Sequence, residues 1–211
     1  MFEAIGTLLS SESLYTSAFQ LSVLFVFAAS GEWVAERAGT LNISVEGMLL
    51  AGAFGAVVGH QWVASSFMGL AVGAFGGLSV AVVHANLSHR LTANQFVVGL
   101  ALNVLVLGLT AFLDGSFDFG PARADVVRLP LVADVPLLGE ALGNRPWPAY
   151  LAYPLIPALW WAVFRTRWGL EVRSVGENPQ AADVSGIDVN ARRRQAIYVT
   201  GLTCGLGGAF M

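Results

Sequence analysis

No lysine occurs anywhere in the chain; all eleven basic side chains are arginine. A P-loop requires a lysine to reach the nucleotide phosphates. A standard P-loop ATPase is therefore excluded, and any ATP that drives this protein is bound by another polypeptide. Charge of either sign is scarce, at 12% of residues, where soluble domains carry about 25%. There is one cysteine, Cys204, which rules out an intrachain disulfide or a multi-cysteine metal site. Residues 1–13 hold Glu3 and Glu12 but no basic group, so no cleaved signal peptide is expected there. Neither H-E-x-x-H nor G-x-S-x-G occurs. His60, His84 and His89 are scattered, and Gly205 and Gly207 lack the third glycine of a dinucleotide-binding loop, because position 210 is Phe210. No catalytic residue, cofactor or metal is expected, and a net charge of −3 offers nothing to nucleic acid.

Apolar residues make up 55% of the 211, the mean hydropathy is +0.66, and there are 24 glycines. The charged residues fence off about six apolar segments: 13–31, 44–59, 66–85, 91–113, 147–164 and 195–211. Most are long enough to cross a bilayer. The run between Glu46 and Arg90 is too long for one span, and His60, Gln61 and Trp62 are taken as its interruption. The expected fold is all-α: one polytopic transmembrane helical bundle over 1–211, with no soluble domain.

The loops differ in charge. Residues 114–145 carry five acids and three arginines, whereas 165–194 carry six arginines and four acids. The positive-inside rule counts arginine and largely ignores acids. It puts 165–194 in the cytoplasm and 114–145 outside. Parity then puts the N-terminus outside, or inside if the short 44–59 segment is re-entrant. Small residues recur four apart at Gly69, Gly73 and Gly77, at Ala51, Gly55 and Gly59, and at Gly201, Gly205 and Ala209. Such faces let membrane helices approach closely, and tight bundle packing is the ordinary reading.

Three polar stretches interrupt the apolar pattern. Residues 31–48 set Glu32, Glu36, Arg37, Asn42 and Glu46 beside or within apolar segments, where ionisable groups are costly and face a cavity or a partner. Gly39 and Asn42 suit a helix break, whose backbone must be lined by protein or water; the plainer reading is a solvated loop before a helix starting at Ser44. Asn94, Gln95 and Asn103 lie along the next apolar run. Their amides suit either a polar, uncharged solute or a neighbouring helix. Residues 169–188 read as a short helix marked at both ends. Asn178 is a good N-cap, Pro179 fits the first helical position, and Gly186 fits the left-handed residue past the end. Ala181, Ala182 and Asp183 lie between. Such an element is too short to stand alone in water and is either a partner-docking element or a connecting turn.

On these residues the chain resembles the ABC-transporter permeases of the branched-chain amino acid/ribose/nucleoside class. Residues 31–48, 94–103 and 169–188 are similar to three blocks of that class, in the same order. Val175 through Asp183 is most similar to the nucleoside and simple-sugar branch. The resemblance implies a translocation subunit, not an enzyme, in the bacterial plasma (inner) membrane. Its partners would be separate ATPase subunits, a second permease subunit, identical or not, and an extracytoplasmic solute-binding protein. It implies ATPase coupling by Gly176, Glu177, Asn178, Pro179, Ala181, Ala182, Asp183 and Gly186, on the cytoplasmic 165–194 loop. It makes Asn42, Glu46, Asn94, Gln95 and Asn103 candidates for a substrate pathway. Members of that class are longer, with further spans after the coupling segment, so a truncated permease is expected.

The competing reading is an ion-coupled secondary transporter or channel subunit. It wants ionisable relays inside the spans, and the uncharged runs 47–89 and 91–113 speak against it. A purely structural membrane subunit is the third.

Overall fold

In lipid, backbone N–H and C=O groups must be satisfied within the chain, which leaves helices as the economical solution for a segment rich in leucine, valine and phenylalanine. The computed structural model describes residues 11–117, 119, 124–130 and 142–211. The first ten residues and much of the 114–145 loop, expected outside the membrane, lie beyond the described residues. Each of the six apolar segments is helical: α1 (Glu12–Arg37), α2 (Val45–Val63), α3 (Ser66–His89), α4 (Gln95–Ser116), α5 (Ala152–Arg165) and α8 (Val189–Phe210). Two shorter helices, α6 (Arg167–Glu177) and α7 (Pro179–Val184), connect α5 to α8.

Three of these helices are long and apolar enough to cross a membrane by length and composition alone. They are Ser13–Arg37, Ser66–His89 and Gln95–Ser116, with mean hydropathies of 1.4, 1.9 and 2.4. The 14 residues of α5 rise only about 21 Å, against a hydrocarbon core near 30 Å. A 3-10 turn, Trp147–Leu151, extends it. Ahead of that turn, a two-stranded antiparallel ribbon pairs β1 (Val126–Arg128) with β2 (Asn144–Pro146), Val127 opposite Arg145.

Several boundaries differ from the sequence expectation: α8 begins at Val189, so Arg192, Arg193 and Arg194, expected in the 165–194 loop, lie in its first turns. Helix α1 does not stop at Gly31; it carries Glu32 and Glu36 for nearly two further turns and ends where Gly39, at φ +67, returns its N–H to Glu36. Helix α2 is not interrupted at His60, Gln61 and Trp62. It runs through them to a left-handed Ala64, at φ 48. Those polar residues mark the exposed end of a helix, where Trp62 is 74% exposed. They do not mark a break.

Helix α8 is the axis of the bundle and packs on α1, α2 and α3; α4 lies on one flank against α2 and α3, and α5 and α6 on the other against α1. The small-residue ladders mesh as expected. A Cβ on Gly52 would stand 2.6 Å from the Gly205 carbonyl oxygen, and one on Gly205 would stand 2.6 Å from that of Gly73. One on Gly73 would meet the Gly52 carbonyl at 2.7 Å and the Ala209 Cβ at 2.6 Å. Dispersion between backbones that touch directly replaces the hydrophobic drive that lipid cannot provide. Apolar side chains fill in around this centre: Met48, Ala81, Ala85, Ile197 and Cys204 are fully buried.

Candidate functional site

The seven residues between α1 and α2, 38–44, form a helix break inside the bundle, so their backbone needs partners from elsewhere in the chain. Helices α1, α4 and α8 supply them, and α3 engages the hydroxyls of the break. From α1, Glu32 Oε1 accepts the Asn42 N–H at 3.0 Å. From α4, Gln95 Oε1 accepts the Leu41 N–H at 3.0 Å and the Thr40 hydroxyl at 3.2 Å. From α8, Arg193 Nε donates to the Ala38 carbonyl at 3.3 Å. From α3, His89 Nε2 lies 2.8 Å from Thr40 Oγ1 and His84 Nδ1 lies 2.8 Å from Ser44 Oγ. The Ser44 hydroxyl donates to Asn42 Oδ1 at 2.7 Å, and it has one proton to give. His84 therefore donates from Nδ1 to Ser44.

Asn103, from α4, makes the most economical contact. Its Oδ1 accepts the Gly47 N–H at 2.8 Å, and its Nδ2 donates to the Ile43 carbonyl at 2.9 Å. Gly47 lies in the first turn of α2, where N–H groups have no intrahelical acceptor. Ser44 is the N-cap by position but makes no side-chain cap bond, its hydroxyl being engaged with Asn42 and His84. A different helix thus caps α2.

The five residues singled out for a pathway occupy different situations. Asn42 is buried and holds Ser44. Asn94 caps its own helix, accepting from Phe96 N and Val97 N. Gln95 and Asn103 tie α4 to the break. Glu46 is exposed, with no hydrogen bond or ion pair among the described residues. His84 and His89, scattered along the sequence and outside the expected site, both reach the break. A signal for this exists in the spacing: His84 falls seven residues after Gly77, on the face of the ladder that packs inward.

The second site is the α6–α7 corner. Asn178 accepts the Ala181 N–H at 3.0 Å, Pro179 opens α7, and Gly186 takes φ +83 with open space around it. Ala182 turns inward, at 4% exposure, while Glu177, Asp183 and Val184 face out, Val184 at 91%. Helix α6 is held to α8 by an Arg192–Glu171 ion pair and by Trp168 Nε1 donating to Gln195 Oε1 at 2.9 Å. Gly176, at the end of α6, packs on the helix break: a Cβ on Gly39 would stand 3.1 Å from Gly176 Cα, and one on Gly176 would strike the Arg37 carbonyl. The corner and the break are in direct backbone contact. Among the described residues, no group of His, Cys, Asp and Glu is placed to hold a metal ion.

The chain is 34% identical to a putative glucose ABC transporter permease protein of Haloferax volcanii, a match that covers 94% of this chain and 62% of the relative. It is 32% identical to a guanosine ABC transporter permease protein of Bacillus subtilis, over 87% of this chain and 61% of that one. The nucleoside ABC transporter permease protein of Lactococcus lactis is also 32% identical, over 89% and 63%. The chain thus spans about three-fifths of the length of these curated relatives. No solved structure gives a significant match. A family model described as the branched-chain amino acid transport system permease component matches residues 14–211. With its apolar helices, its arginine-rich 165–194 stretch and these relatives, the chain is a membrane protein and belongs to that permease family.

Proposed function

We propose that this chain is the translocation subunit of an ATP-driven importer for a small polar solute, a nucleoside or a simple sugar, in the bacterial inner membrane. The observation that carries this reading is the α6–α7 corner: a capped helix whose outer face is unpaired and whose base rests on a helix break inside the bundle. The names of the relatives, which specify glucose, guanosine and nucleosides, support the solute class. Residues 165–194 lie in the cytosol, where a separate ATPase subunit grips α7. The gripped face is Asp183 and Val184; Ala182 packs beneath it and Gly186 ends it. Motion of α7 passes through Glu177 and Gly176 to Gly39, and so to the break that Asn42, Gln95 and Asn103 hold shut. Solute passes beside α4, where Glu46 is free to meet it, and an extracytoplasmic binding protein delivers it.

Val184→Glu tests the grip. Because Val184 is 91% exposed, the variant is expected to fold normally; surface changes of this kind alter stability by about 0.5 kcal/mol or less. ATP-dependent uptake by the full transporter should fall at least about tenfold, as truncating a central interface residue costs ~2 kcal/mol. Ala182 is the wrong place for this test, because a larger side chain there disturbs the fold before it touches a partner. Normal uptake by Val184→Glu, with the ATPase still bound, would sink the assignment of α7.

The second permease subunit meets α4. Val97, Ala101, Val104, Gly108, Ala111 and Gly115 are all exposed and recur at alternating four- and three-residue steps, the spacing of a left-handed helix seam. A Cβ added to Gly108 or Gly115 would meet nothing within 4 Å, unlike one on the bundle glycines. Single cysteines at 104 or 108 should cross-link between the two permeases of the assembled transporter, and cysteine at Phe75, on an exposed face of α3, should not. The reverse pattern moves the contact elsewhere.

A further inference from the structure

Between α1 and α5 runs an open cleft of about 320 Å³, lined by Val26, Ala29, Ser30 and Trp33 on one side and Ile156 and Trp160 on the other. The one polar side chain in it, Ser30, spends its hydroxyl on the Phe27 carbonyl, so the walls are apolar. The cleft descends to a cluster of arginines and aromatic rings. Arg37 stands over Trp33 at 5.6 Å and Phe164 at 5.7 Å, Arg173 over Phe164 at 5.0 Å, and Arg165 over Trp160 at 5.7 Å.

These guanidinium groups are not neutralised. Among the described residues no carboxylate pairs with Arg37, Arg165 or Arg173; the nearby Glu171 is taken by Arg192. Arg37 and Arg165 make no hydrogen bond among the described residues, and Arg173 gives only its Nε, to the Val163 carbonyl at 3.2 Å. Stacking on a ring uses the face of a guanidinium and leaves its in-plane N–H donors free. Three sets of donors therefore lie around the aromatic rings at the foot of the apolar cleft. The depth also fits. From Val26 to Arg37 the helix rises about 16 Å, close to half of a hydrocarbon core of about 30 Å. Trp160 and Trp161, at 48% and 59% exposure, sit where amphipathic rings mark a membrane interface.

We infer that this cleft binds one anionic phospholipid, an acyl chain lying between α1 and α5 and the phosphate held by Arg37, Arg165 and Arg173. A neutral, apolar groove alone would suit any lipid tail or a neighbouring helix; the unpaired arginines at its foot select a negative headgroup. The leaflet alone rests on the proposed function: with the arginine-rich end in the cytosol as proposed there, the lipid belongs to the inner leaflet.

Native mass spectrometry of the purified chain tests this, with equal amounts of palmitoyl-oleoyl phosphatidylglycerol and phosphatidylcholine added in detergent. Phosphatidylglycerol should be retained preferentially. Each of Arg37→Gln and Arg165→Gln should lower the preference roughly fivefold, the effect of one basic residue at a membrane surface. Ala29→Trp, at an exposed position in the cleft, should reduce retention of both lipids without removing charge. Inorganic phosphate in excess should not displace the lipid. Equal retention of the two lipids, an unchanged preference in both arginine variants, or full displacement by inorganic phosphate overturns the site. The readout needs no transport, so it stands or falls apart from the proposed function.

Discussion

Gly205→Leu is expected to leave almost no folded protein in a detergent extract. Gly205 is where α8 meets α2 and α3 at backbone distance. A Cβ there would stand 2.6 Å from the Gly73 carbonyl oxygen and 2.8 Å from Ala74 Cα, and Gly52 and Gly77 approach it from their own helices. The obstacles are backbone atoms, which no rotamer change removes. Overpacking a core costs about 1–3 kcal/mol where side chains can give, and more where they cannot, set against a total stability of about 5–15 kcal/mol. Gly108→Leu is the matched control, since nothing lies within 4 Å of its Cβ position. Size-exclusion profiles and thermal unfolding of the two variants should differ sharply. If Gly205→Leu elutes and melts like Gly108→Leu, the packing described for α8 is incorrect.

Asn103→Leu should be the next most damaging change. It keeps the size of the side chain but strips the Gly47 N–H and the Ile43 carbonyl of their partners. Each buried group left unsatisfied costs about 1–3 kcal/mol, so the loss for two is roughly 2–6 kcal/mol. Asn103→Asp keeps the acceptor for Gly47 but sets a carboxylate oxygen against the Ile43 carbonyl among apolar helices, and should not rescue the fold. Removing the ordinary cap, by Asn94→Ala, should cost only about 1 kcal/mol. Hydrogen exchange separates fold from site: the Gly47 amide should lose protection in Asn103→Leu before the rest of α2 does. Unchanged protection there would show that α2 does not depend on α4 for its cap.

The amide at position 103 also shows how far a linear reading reaches. Its two outcomes, bonding a solute or a neighbouring helix, are both open in the sequence because side-chain chemistry is the same for each. Three-dimensional distance engages it with the chain itself in this conformation. The same holds for Ala182 and Asp183. Adjacent in sequence, both fall on the expected docking helix; the rotation of a six-residue helix sends one inward and the other to solvent. The end of α2 lies beyond its expected position for a related reason: a polar cluster can mean a turn or an exposed last turn of helix, and only packing separates them.

Composition and spacing alone determined that these 211 residues form membrane helices and hold no standard P-loop. They also located the helix-packing faces and the capped corner before α8. These properties are local or additive: hydropathy sums along a segment, a cap needs three consecutive positions, and a ladder repeats every four. The tertiary structure decided which polar groups face each other. Glu32, His84, His89, Gln95, Asn103 and Arg193 lie outside residues 38–44, and they converge on that segment only because glycines let the helices close on one another. A hydrogen bond is set by the last few tenths of an ångström, and no spacing along a sequence encodes that.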